Sequence, residues 1–155
     1  MNEAVVVETL AEVSPADAAA LARLLGQLST TASFDPDRIR SVIEHESTDL
    51  LVARVDGDIV GMATFVSVPL PTGLRGHVED VVVDGSMRGR GIARKLRETM
   101  TSMADARGLR TLDLTSRPSR ETALRLYEAV GFRRRDTNTL RYTPSKWAGI
   151  AARSP

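Results

Sequence analysis

The sequence predicts an α/β protein: a mixed sheet with helices on its faces. Short valine-rich runs alternate with helical patterns in the order β-α-α-β-β-β-α-β-α-β-β. Two helix starts are written out as cap and proline pairs, Ser14-Pro15 and Asp35-Pro36. An Asp56-Gly57 dipeptide between two apolar runs marks a hairpin, because it supplies the positive φ angles of a tight turn.

The elements follow in order. Ala4 to Leu10 is a first strand. Ala18, Leu21, Leu24 and Leu25 repeat at helical spacing behind Ser14, with Gly26 near the end, and Ile39, Val42 and Ile43 form a short stripe behind Asp35. Leu50 to Val55 and Ile59 to Val68 are the hairpin strands, the second interrupted by Gly61. Pro69 to Gly76, with two prolines and two glycines, reads as a loop. His77 to Val83 is the central strand. A helix is predicted from about Gly89 to Arg107, buried through Ile92, Leu96, Met100 and Met103, with Gly108 as its stop. Thr111 to Thr115 is a strand. A helix from Pro118 carries Ala123, Leu126, Tyr127 and Val130 on one face, and Gly131 ends it. Phe132 opens a strand, and Thr137 to Tyr142 is the last one.

The 155 residues suit one domain, with a core over about 4–143 and a tail over 144–155. With no cysteine, disulfides, zinc thiolate sites and thiol nucleophiles are excluded, and His45 and His77 are too few for most histidine metal sites, so no metal is expected. The net charge of +1 gives no case for nucleic acid or a membrane surface as partner. No apolar run approaches the roughly 20 residues of a membrane span. The acidic start Met1-Asn2-Glu3-Ala4 does not resemble a signal peptide, which makes the expected location cytoplasmic.

The chemistry points to the stretch from Val78 to Leu96. A β-branched strand (Val78 to Val83) leads through a polar turn, Asp84-Gly85-Ser86, to Arg88-Gly89-Arg90-Gly91-Ile92-Ala93 at the mouth of the long helix. Glycines there let a ligand approach the first helical N–H groups, which lack intrahelical acceptors and lie at the positive end of the dipole. That arrangement suits a phosphate or pyrophosphate, with Arg88, Arg90 and Arg94 adding positive charge. In isolation the two glycines would more readily be read as packing residues; the strand, helix and arginines around them favour a ligand. A P-loop string is absent, and a dinucleotide fingerprint would need a glycine where Arg94 stands.

Arg88, Gly91 and Ala93 resemble the (Q/R)xxGx(G/A) signature of the GNAT superfamily of N-acetyltransferases. Ala123 to Phe132 is similar to the family's A-x-x-L-Y-x-x-x-G-F segment. The spacing of the two motifs and the element order match as well, so the resemblance covers roughly Ala4 to Tyr142. It implies the GNAT-like acyl-CoA N-acyltransferase fold, whose fourth and fifth strands, here His77–Val83 and Thr111–Thr115, splay apart to admit a thioester. It also implies acetyl-CoA as cosubstrate. Backbone N–H groups of Gly89, Arg90, Gly91, Ile92, Ala93 and Arg94 would hold the pyrophosphate, and the backbone of Val81, Val82 and Val83 would pair with the pantetheine arm. Amides of Val82 or Val83 would polarise the thioester carbonyl.

With the match, Tyr127 becomes the expected general acid for the departing CoA thiolate; by pattern alone it reads as core. Glu79 is the candidate base, with His77 on its face of the strand and Asp80 on the other, weighed evenly against a solvated carboxylate and against a water chain in its place. The family's Asn in the first turn of the Tyr127 helix is replaced by Arg120. His45 and Arg133-Arg134-Arg135 read as surface rather than as ligand contacts. Trp147 packs on the sheet or across a homodimer, and both placements stay open.

The expected activity is direct transfer of an acetyl group to a primary amine. Gly76 to Val83 resembles the corresponding strand of members that acetylate small amines, the glucosamine-phosphate acetyltransferases among them, which favours a small-molecule acceptor over a protein lysine. A non-catalytic acyl-CoA-binding or sensing domain and a nucleotide-binding module are the competing readings. The first two helices and the Pro69–Gly76 loop are expected to set acceptor choice.

Overall fold

A computed structural model of the chain describes residues 4–151. The residues Met1 to Glu3, on which the expected location partly rested, and the last four residues of the tail lie outside it. Strand β1 (Val5–Thr9) is followed by helices α1 (Pro15–Leu28) and α2 (Pro36–Glu44), strands β2 (Thr48–Val55), β3 (Asp58–Leu70) and β4 (Gly73–Val83), helix α3 (Ile92–Ala106), strand β5 (Thr111–Asp113), and helices α4 (Glu121–Ala129) and α5 (Ala148–Ala151). The sheet runs in the order β1-β2-β3-β4-β5. Its first four strands are antiparallel neighbours, and β5 is parallel to β4. The sheet is therefore mixed, as predicted.

The local signals act as expected. Ser14 and Asp17 form a capping box at the start of α1, and Asp35 accepts from the N–H groups of Asp37 and Arg38 at α2. Asp56 (φ 51°) and Gly57 (φ 86°) both adopt the left-handed conformation of a tight hairpin turn. Each sheet face has its own core. Leu51, Ala53, Ala63, Phe65 and Val78 pack with Ile92, Leu96 and Met100 of α3. On the other face Leu50, Val52, Ile59 and Met62 pack with Leu21 and Leu24 of α1 and, at the periphery, Ile39, Val42 and Ile43 of α2. Burying a side chain such as Phe65 is worth about 1.5–3 kcal/mol.

Several expectations are corrected. Pro69 to Gly76 is not a loop: β3 and β4 pair out to Leu70 and Gly73, leaving a two-residue turn. Here β3 has run past the end of β2, whose last pairing is Thr48 with Val66, so Pro69 sits on a strand with a free edge and its missing N–H breaks no ladder. Helix α3 starts at Ile92 rather than Gly89, because Gly89 (φ 80°) and Gly91 (φ 76°) are left-handed and cannot be helical. Helix α4 starts at Glu121 rather than Pro118 and buries its side toward Leu124 and Tyr127; Leu126 is turned outward. The strands expected from Phe132 and over Thr137–Tyr142 do not form. The three-residue β5 offers too short a template, and Arg134 instead reaches back to Glu128 (2.6 Å) and Glu121 (2.7 Å) on α4. Leu140 and Tyr142 are left exposed.

Two irregularities shape β4. Thr64 pairs with Glu79 and Met62 with Val82, so Ala63 alone faces Asp80 and Val81. This is a β-bulge, and Asp80 takes φ 52° within it. Asp80, expected on the face opposite Glu79, is exposed like Glu79. Beyond it Val81 and Val83 pack toward the α3 core with Val78, and Val82 toward the α1 core. Second, β5 pairs with β4 only at Arg75, Gly76 and His77. From Val78 onward the β5 side of β4 carries no strand, which is the splay the resemblance implies.

Candidate active site

The turn between β4 and α3 is held in place before any ligand arrives. Asp84 caps a 3₁₀ turn, Gly85–Met87, accepting from the Ser86 N–H (3.0 Å) and hydroxyl (2.9 Å), while Arg23 of α1 donates to its second oxygen (2.9 Å). The Ser86 hydrogen bonds, with Arg23 and Gln27 adding to them, hold its carboxyl down to about 2. Gly85 N–H donates to Gln27 Oε1 at 2.9 Å, a second tie to α1.

Gly89 and Gly91 follow, and a Cβ at either would meet nothing within 4 Å. Close packing therefore does not explain them; their backbone conformation does, and the space before them is open. Close packing is Gly61's role, where a Cβ would lie 3.3 Å from both Ile92 Cγ2 and the Val82 carbonyl oxygen. The first α3 hydrogen bond runs from Lys95 N–H to the Gly91 carbonyl (3.0 Å), leaving the N–H groups of Ile92, Ala93 and Arg94 without intrahelical acceptors. Arg88, Arg90 and Arg94 are exposed around this mouth, and Arg94 donates to Glu98 at 2.8 Å.

On β4, His77 Nε2 lies 2.7 Å from Glu79 Oε1. With the proton on Nε2 the imidazole donates to the carboxylate. The Asp80 carboxyl is raised, first because surrounding protein partly desolvates it although the residue as a whole is exposed, and then by the charge of Glu79. Tyr127 of α4 is half-buried and stacks edge-on against Phe132, with ring centroids 5.4 Å apart. Burial raises its phenol, opposed by the charges of Arg97 and Arg120. Tyr127 and His77 line one open cleft of about 1040 Å³, as do Asp113 and Ser116; the glycine turn and Glu79 lie outside its wall.

Residues 19–132 match the family model described as the acetyltransferase (GNAT) family. The chain belongs to that family. It is 32% identical over 118 residues to the glucosamine 6-phosphate N-acetyltransferase of Trypanosoma brucei brucei, a match spanning 71% of this chain and 78% of that protein. Among solved structures, an acetyltransferase from Trypanosoma brucei superposes with a TM-score of 0.74 at 26% identity, covering 90% of this chain and 100% of that one. A ribosomal-protein-alanine N-acetyltransferase from Brucella melitensis biovar Abortus 2308 superposes with a TM-score of 0.70 at 28% identity, covering 90% and 99%.

In this GNAT N-acetyltransferase the sequence-predicted residues fall into two groups. Val81 to Ala93 form a continuous path from the open β4 edge to the α3 mouth, and His77 and Glu79 share the strand that leads to it. Tyr127 stands on a separate element, against α3. Sequence reasoning missed Arg97, which α3 buries against Tyr127; its place beside Leu96 in the helical pattern carried no signal that a charge would be internal. It also missed the bulge at Asp80. Of the remaining polar candidates, His45 accepts from the Ser47 N–H in a surface turn, and Arg133 and Arg135 are exposed. Trp147 is partly exposed, with Lys146 over its ring. The described residues include no group of three or more His, Cys, Asp or Glu that could hold a metal, and no helix long and apolar enough to cross a membrane.

Proposed function

We propose that this acetyltransferase moves the acetyl group of acetyl-CoA onto the primary amine of a small molecule by direct attack. The observation that carries this is the α3 mouth: left-handed glycines facing open space, three N–H groups without helical acceptors, and the strandless β4 edge running up to them. Such donors fit a pyrophosphate, and a free strand edge fits the amides of a pantetheine arm. The small-molecule assignment rests on the similarity to a glucosamine 6-phosphate N-acetyltransferase.

Acetyl-CoA, when bound, supplies an activated thioester. The N–H groups of Gly89 to Arg94 hold its pyrophosphate, and the backbone of Val81 to Val83 aligns its arm. Glu79, oriented by His77, accepts a proton from the acceptor's ammonium group. The Val82 or Val83 amide donates to the thioester oxygen, where negative charge develops. Tyr127 donates its hydroxyl proton to the leaving sulfur.

A thermal-shift titration with acetyl-CoA, with CoA, ATP and NAD as controls, tests the cosubstrate, because a ligand that binds only the native state stabilises it. A rise with acetyl-CoA and CoA alone is expected, and its loss in Gly91→Glu, which puts a side chain and a negative charge before the α3 donors. A rise with ATP or NAD instead would overturn the reading. Thiol release over a panel of glucosamine 6-phosphate, aminoglycosides and an N-terminal alanine peptide then separates small-molecule from peptide acceptors, and binding without turnover would mark an acyl-CoA sensor.

A further inference from the structure

Among the charged residues of α3, Arg97 alone is buried. It is 6% exposed, and its Nε has no hydrogen-bond partner among the described residues. Its charged neighbours are Arg94 and Glu98 on its own helix, both turned to solvent. Its guanidinium carbon stands 5.6 Å from the centroid of the Tyr127 ring. A buried cation with no ion pair among the described residues is costly, and an apolar side chain of similar size would serve packing better. Where such a group is kept, a role in the chemistry is the physical explanation to test.

We propose that Arg97 is a positioning residue for Tyr127: its guanidinium holds the phenol by the ring face and stabilises the phenolate left when the hydroxyl gives up its proton. The inference rests on Tyr127 being the general acid. In that step the O–H bond breaks and its electron pair stays on the phenolate oxygen, while the proton bonds to a lone pair of the CoA sulfur. The ammonium proton has gone to Glu79, and the second proton that the nitrogen loses after attack restores the phenol, so charge and atoms balance over the cycle. During the step the buried cation gains a partner, and an unpaired charge becomes a pair. The groups facing Tyr127 agree: Arg97 from α3 and Arg120 at the start of α4 both favour the phenolate, against burial, and Phe132 is apolar.

The protein has only two tyrosines, and Tyr142 is 86% exposed. In a Tyr142→Phe background, the ultraviolet tyrosinate signal of the ligand-free protein therefore reports Tyr127 alone. Arg97→Met should move that titration upward by about one pH unit, and Arg97→Lys should restore most of it. Turnover in Arg97→Met should fall roughly three- to tenfold with KM for acetyl-CoA little changed. Its melting temperature should hold or rise, since an apolar side chain replaces an unpaired charge; Arg97→Gln asks the same question if the methionine variant does not fold. An unmoved Tyr127 titration in folded Arg97→Met would overturn the proposal. If Tyr127→Phe keeps full turnover, the acid assignment fails and the inference with it. If Tyr127→Phe loses turnover while Arg97→Met leaves titration and turnover intact, only the role of Arg97 fails.

Discussion

The stretch from β1 to α3 and the stretch after it are built to different standards. Every buried side chain among the described residues lies between Leu10 and Met100; none follows. In the first stretch α1 and α2 have side-chain caps, whereas at α4 the cap position is Arg120, which makes no such bond. The least exposed ion pair of each stretch differs too, although the first also carries open pairs such as Arg40 with Asp37. Arg54 grips both oxygens of Asp17 (2.8 and 3.0 Å) with side chains 20% and 11% exposed. Arg134 joins Glu121 and Glu128 at comparable distances, but all three side chains are close to half exposed. The first stretch is a scaffold that stands on its own core. The second is an arm carrying Tyr127, joined to the sheet by short β5.

The sharpest test of this contrast is stability. Phe65→Ala should destabilise by about 3–5 kcal/mol in urea unfolding, while Leu126→Ala should stay within about 0.5 kcal/mol. Comparable losses in the two variants would break the distinction. Tyr127→Phe should lower turnover by roughly 10²-fold, with little change in acetyl-CoA affinity or melting temperature; a large stability loss would return Tyr127 to a packing role.

Asp84 tests the scaffold's hold on the glycine turn. Its carboxyl titrates lower folded than unfolded, so it stabilises the fold above its unfolded value. That contribution is lost as pH falls from about 4 toward about 2. Asp84→Asn should cost about 1–2 kcal/mol at neutral pH and flatten the acid limb of the stability curve. A variant with an unchanged acid limb would place the acid-labile groups elsewhere. The smallest effect belongs to the arm: Arg134→Ala should leave the melting temperature unmoved, because pairs this exposed are screened by solvent.

What could be read in the sequence divides along the same line. Where a residue type has one physical reason to be present, the reading held. Ser14-Pro15 and Asp35-Pro36 start helices, Asp56-Gly57 turns a hairpin, and Ile92, Leu96 and Met100 face a core. Where the outcome depended on a distant partner, it did not. Thr137 to Tyr142 alternates like a strand, but a strand needs an edge, and no pattern within it tells that β5 stops at Asp113. Pro69 and Pro71 signal a loop unless one knows that β2 has already ended beside them. The glycine turn was legible as a motif, although the conformation that starts α3 three residues late is a property of Gly91 in its place. Arg97 was illegible because burial of a charge is decided by the neighbouring helix.

The bulge at Asp80 has a bearing on how this chain tolerates change in length. A strand writes its side chains in a two-letter code, one face and then the other, and Asp80 is a single inserted character. Delete it and the plain alternation returns: Val81 would stand alone opposite Ala63, and Val82 and Val83 would keep their places opposite Met62 and Gly61. On the strand that carries the proposed chemistry the bulge thus confines one extra residue to a single position, and the faces on either side of it stay in step with β3.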